Sequence, residues 1–220
     1  GQQEALLIEI KVFGVDGYDI HALETIQCMV ERRAGGETGV DWLQAYRGES
    51  FWQAYHDGVW SRRLFESALS RSHTLKPSRS GFNNIFPNWN ELQEIVKDPI
   101  AYHYQHSDGL KSTMILMSGL IEDFNFAATL KNQDQPISTQ MYLPMPPART
   151  SLANFFSPQV NNVERMFLTG QPSYPVERTL LTSGLVIAGV DSLDQEQSKQ
   201  STPHLKIAYQ ANPESTFWRT

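Results

Sequence analysis

The residues best suited to chemistry are an acid and an imidazole at the start of one helix. They are Asp19 and His21, in Gly17-Tyr18-Asp19-Ile20-His21, just after a strand-like run from Ala5 to Phe13. A histidine titrates near neutral pH, so His21 could exchange a proton with a substrate hydroxyl. Tyr18 and Asp19 would line the same site. The bland alternative is an ordinary helix entrance, with Asp19 as the cap and His21 in the first turn. Three further candidates stand apart in sequence. Arg32 shares the polar face of His21, Thr25 and Cys28, which otherwise reads as a solvated stripe. Glu37 sits in Gly35-Gly36-Glu37-Thr38-Gly39, where three glycines let backbone approach a ligand and the carboxylate could accept hydrogen bonds from it; a plain helix exit needs only one or two glycines. Arg178, in the first turn of a later helix, could hold a substrate carboxylate or a neighbouring side chain.

Other combinations carry less. His103 and His106 point to opposite faces of a strand and cannot readily share an ion, so no metal is expected. Cys28 is the single cysteine, which excludes an internal disulfide and a cysteine metal cage. Asp98, Glu122 and Asp123 have no spacing that makes a hydrolase pair. No Gly-x-Gly-x-x-Gly links a strand to a helix, so the chain has no dinucleotide fingerprint of its own.

The elements that must position these residues follow from periodicity. The helix from Asp19 to Arg33 buries Ala22, Leu23, Ile26, Met29 and Val30. A strand covers Val40 to Tyr46. Short helices follow, capped by Ser50 and Ser61, and a third runs from Glu91 to Lys97. Between them, Ser72 to Trp89 is a long loop whose aromatics should pack down. Ile100 to His106 and Lys111 to Met117 form a hairpin through Ser107-Asp108-Gly109. Asp123 to Lys131 and Pro136 to Leu143 extend it into an antiparallel meander. Ser157-Pro158 opens a helix ending at Gly170. The next, from Tyr174 to Leu193, is apolar almost all round and should be buried. Leu205 to Gln210 is a final strand. The order predicts an α+β fold: a largely antiparallel open sheet with helices packed on one face. The other face would be left for solvent or a partner.

The chain has 220 residues, of which 40% are hydrophobic, in keeping with a single globular domain spanning 1–220. Its net charge of −6 and scattered Arg pairs argue against nucleic acid. No apolar run reaches the roughly 18 to 20 residues that span a bilayer; a soluble chain is expected, with the cytoplasm favoured and the compartment of the parent protein unknown. Gly1 follows no initiator Met or signal-like segment, which reads as a domain cut from a longer protein.

Three long motifs carry a resemblance: Ile20-His21-Ala22-Leu23-Glu24-Thr25-Ile26-Gln27-Cys28-Met29-Val30-Glu31-Arg32-Arg33, Gly35-Gly36-Glu37-Thr38-Gly39-Val40, and Tyr174-Pro175-Val176-Glu177-Arg178-Thr179-Leu180-Leu181-Thr182-Ser183. With them the chain resembles the C-terminal domain of the glucose–fructose oxidoreductase/inositol dehydrogenase (Gfo/Idh/MocA) family, most closely uncharacterised bacterial relatives. The resemblance implies an upstream Rossmann domain that holds NAD or NADP and carries the catalytic Lys. It implies a sugar or polyol ligand and a homo-oligomer formed through the sheet. This chain alone would bind no cofactor and be inactive. In that family an Asp and a His four residues apart line the pocket. Here Asp19 and His21 are two apart, and Asp16 and His21 five. A non-catalytic carbohydrate-binding or oligomerisation module is the alternative.

Overall fold

A computed structural model describes residues 4–9 (backbone only for 6–9), 18–78, 86–141 and 156–212. The fold is α+β around one open, mostly antiparallel sheet. Its strands are β1 (Glu4–Glu9), β2 (Val40–Arg47), β3 (Ile100–His106), β4 (Lys111–Leu116), β5 (Phe124–Ala128), β6 (Ile137–Met141) and the short β7 (Gln200–Ser201). The helices are α1 (Asp19–Val30), α2 (Glu49–His56), α3 (Arg62–Leu69), α4 (Trp89–Ile95), α5 (Ser157–Thr169) and α6 (Val176–Asp194).

Across the sheet the strands run β6-β5-β1-β4-β3-β2-β7. The expected hairpin of β3 and β4 is present. The expected meander is not, because β1 lies between β4 and β5, parallel to the first and antiparallel to the second. The fully buried residues of β5 and the last five of β4 explain this. Strands that bury both faces gain most from neighbours on both edges, and β1 supplies the missing neighbour.

The helices, expected on one face, divide between both. Ile100, Tyr102 and Tyr104 of β3 face a core made with α1 and α6, while Ala101 faces the opposite way, into a core made with α2, α3 and α4. In β4, Met114 and Leu116 belong to the first core and Ile115 to the second. The alternation is that of a strand packed on two sides. The face on which a homo-oligomer contact was expected is thus covered by α2 to α4. Phe86 and Trp89, from the end of the long loop, pack onto that second core as expected; residues 79–85 lie outside those described.

Local signals explain most helix ends. Ser61 accepts a hydrogen bond from the Leu64 amide, and Asn88 with Glu91 forms a capping box at α4. Ser50 does not cap α2; Gly48 holds that position with a positive φ of 62°, and the Ser50 hydroxyl bonds to the backbone of Arg47. The predicted last strand is instead a 3-10 turn, Pro203–Leu205, followed by an isolated bridge between Tyr209 and Glu37. Helix α6 is buried on one side only. Gly184 and Gly189 let it lie close against Leu205 and the ring of Tyr102.

Candidate functional site

The first turn of α1 separates its candidates by depth. Tyr18 precedes the helix without capping it through its side chain. Asp19 is only 1% exposed and accepts a hydrogen bond of 2.5 Å from the Tyr102 hydroxyl on β3. It therefore anchors the helix to the sheet and is not turned toward a ligand. His21, two residues on, is exposed. The half-buried Tyr18 ring meets it edge-on, with centroids 5.4 Å apart. Asp16 lies outside the described residues.

Arg32 is exposed at the far end of the same helix, where its guanidinium donates to the Cys28 carbonyl at 2.7 Å. Helix α1 rises about 14 Å from His21 to its end at Val30, and Arg32 lies two residues beyond. It lines a mainly apolar cavity of about 180 Å³ with Met29, Val30, Phe126 and Ile137. His21 and Arg32 therefore cannot grip one small ligand together. Cys28 is half-buried, and burial, the largest effect, pushes its thiol pKa up, against a nucleophilic role.

Glu37 and Arg178, two residues placed in a ligand site from sequence, belong to the interior. Glu37 is 1% exposed. Its carboxylate accepts from the amides of Thr38 and Gly39 at 2.8 and 2.9 Å, from Arg33 at 3.1 and 3.2 Å, and from Gln27 at 2.7 Å. His106 Nδ1 lies 2.9 Å away, and its Nε2 lies 3.0 Å from the Ser112 hydroxyl. An ionised Glu37 assigns the Nδ1 proton to His106 as donor. Burial by itself would raise the Glu37 pKa. Hydrogen bonds and charge from His106 and Arg33 outweigh it and hold the carboxyl well below the usual range.

From Glu37 the network continues through Gln27 to the Tyr209 hydroxyl at 2.8 Å, and from Tyr209 to Glu31 at 2.7 Å. Glu31 is paired with Arg178, whose Nε donates at 2.9 Å and whose second nitrogen also binds it. Arg178 further lies over the Tyr174 ring, 4.5 Å from its centroid. The ion-pair reading of Arg178 holds, and a ligand role for Glu37 does not. Sequence reasoning missed Gln27, Glu31 and Tyr209. The available signal was that Gln27 and Glu31 are one turn apart on α1 and flank its apolar face, where polar groups become buried.

His103 also sits inside, 2.9 Å from the Thr113 hydroxyl. Burial first, then Lys111 and Lys199, push its pKa down to about 4, so it is neutral at physiological pH. His103 and His106 join separate networks. Among the described residues no group of His, Cys, Asp or Glu could hold a metal ion. Asp123 is likewise engaged, accepting from Ser72, the His73 amide and Gln140.

The glycine turn follows a helix and enters a strand, and a Cβ on Gly39 would lie 2.6 Å from the Leu205 carbonyl oxygen. That space is filled by the protein's own backbone. No family model matches this chain, and no curated protein matches it either. No helix among the described residues is long and apolar enough to cross a membrane.

Proposed function

We propose that this chain is the substrate-binding domain of an NAD(P)-dependent oxidoreductase acting on a sugar or polyol, working beside a separate nucleotide-binding domain. The observation that carries this reading is the pair His21 and Tyr18. They stand outward at the start of a helix whose root is fixed by Asp19 and Tyr102. A rigid root with a free imidazole at its tip suits a group that must meet a hydroxyl in one geometry. His21 binds the hydroxyl or takes its proton, and the nucleotide comes from the other domain. The motif resemblance supplies the substrate class.

The test is hydride transfer by the protein joined to its nucleotide-binding domain. His21→Ala is expected to lower kcat/KM by about 10²- to 10⁴-fold. Its exposed position should leave stability within about 0.5 kcal/mol of the original. Unchanged turnover would remove His21 from the reaction.

A second reading is a non-catalytic carbohydrate-binding or oligomerisation module. It is favoured by the exposed apolar residues of α5 and α6, which have no part in the His21 site. Sugar binding without any hydride transfer by the joined protein would select it.

A further inference from the structure

One row of residues crosses the sheet beside the end of α1. Ile137 of β6 pairs with Ala128 of β5, and Ala128 pairs with Ala5 of β1. Ala5 and Ala128 belong to the core that α1 covers, so two of the smallest side chains stand side by side on that face. They leave a hollow. It is the cavity of about 180 Å³ that Arg32 lines, and Val30, Leu110 and Phe126 complete its floor. These five apolar residues are at most 8% exposed. Met29, Leu130 and Ile137 also line it, are 41, 39 and 41% exposed, and form its mouth.

A hollow of this kind suits hydrocarbon. An apolar cavity of about 150 Å³ takes up benzene, so this one has room for a ring or short chain with a small substituent. A sugar does not match it, because the polar groups of its wall are already used. The Thr129 hydroxyl accepts from the Glu4 amide at 3.0 Å. The Glu4 carboxylate is turned to the opposite face of the sheet, where it accepts from the Ser61 amide at 2.6 Å.

The charge left at the mouth is that of Arg32. Arg33, the other arginine of the wall, donates to Asp108 at 2.7 Å and to Glu37 at 3.1 and 3.2 Å. Arg32 uses one nitrogen, Nη1, which donates to the Cys28 carbonyl and lies 3.5 Å from Glu31. Its Nε and Nη2 have no hydrogen-bond partner among the described residues. Glu31 does not cancel this charge, since Arg178 holds that carboxylate through two nitrogens. The negative end of α1 is also covered: the Glu31 amide, Arg32 and Arg33 donate to the carbonyls of Gln27, Cys28 and Val30. One guanidinium with two donors to spare matches one carboxylate, whereas a doubly charged phosphate would need a second cation.

We infer that the cavity binds a small monocarboxylate, with its hydrocarbon part over Ala5 and Ala128 and its carboxylate on Arg32. Apolar walls that hold the body of a ligand, and one polar group that fixes its orientation, are the usual parts of such a site. It lies at the other end of α1 from His21 and does not depend on the substrate reading of that residue.

Titration of the 220-residue chain with benzoate and with hexanoate, followed by the shifts of amide resonances, tests it. At least one acid should reach half-saturation at about 1 mM or below. Benzyl alcohol and hexanol, the neutral counterparts, should bind about tenfold more weakly, and Arg32→Gln should weaken the acids by about the same factor. Ala128→Leu should fill the hollow and abolish binding of all four probes. Should that variant fail to fold, Ile137→Glu replaces it: the position is exposed, and a like charge at the mouth should weaken the acids and spare the alcohols. His21→Ala should bind the acids as the unmodified chain does, which separates this test from that of the substrate site. No saturation by either acid at ten times the expected concentration would overturn the inference. So would alcohols that bind as tightly as the acids, an acid affinity unchanged by Arg32→Gln or Ile137→Glu, or a folded Ala128→Leu that still binds.

Discussion

Glu37 has its charge inside the protein, and its partners decide what losing it costs. Glu37→Gln leaves Arg33 and His106 facing a neutral amide. Breaking a buried pair in this way is expected to cost about 3 kcal/mol, read as a lower urea midpoint. The pH dependence has a definite sign. The folded carboxyl is held below its ordinary value of 4.5. Its stabilisation is therefore present above that value and is lost as pH falls below it toward the folded pKa. Glu37→Gln should flatten the acid side of a stability-against-pH curve. Arg178 was readable as an ion-pair residue, because a first-turn arginine sits badly with the helix dipole unless an acid holds it. Glu37 was not readable. Its decisive partners, His106 and Gln27, come from another strand and helix, and a flexible glycine turn looks alike whether it faces a ligand or the core. At His21 the sequence could name a residue able to do chemistry, and the structure adds only that it stands outward.

At the level of elements, the contact between α6 and Tyr102 transmits packing to the candidate site. A Cβ on Gly189 would lie 2.3 Å from the Tyr102 ring, which also holds Asp19 at the root of α1. Gly189→Ala should be destabilising by about 1 to 2 kcal/mol, since overpacking exceeds the gain of about 1 kcal/mol in helix propensity. Gly184→Ala meets the flexible end of Leu205 instead and should be close to neutral. Thermal melts of the two variants check the contrast. Helix positions were legible where caps and apolar spacing are local: Ser61 and Gly170 each mark an end. Strand order was not. Adjacent strands suggest hairpins, whereas β1 pairs with a strand more than a hundred residues away. One clue to two covered faces was present, in the weakly alternating Ser112-Thr113-Met114-Ile115-Leu116 and Phe124-Asn125-Phe126-Ala127-Ala128, each buried throughout. The apolar roundness of α6 was also legible, but not that one half of it stays exposed, with Val176, Leu180, Ile187 and Val190 facing outward.

For the whole molecule, the position of β1 has a consequence for the order in which the protein is made. Strands β4 and β5 are separated by the place that β1 occupies, and Glu4 is paired with Lys111. A ribosome releases the first strand long before the pair that will enclose it. Until then that strand has neither of its permanent neighbours. Once they emerge, they must leave a gap one strand wide and not close on each other as a hairpin. Contacts of such long sequence separation form slowly and leave apolar edges open in the meantime. Strand β1 is thus synthesised before both of its neighbours and is among the last strands to find its place, and the half-built sheet is the stage at which a chaperone would have most to protect.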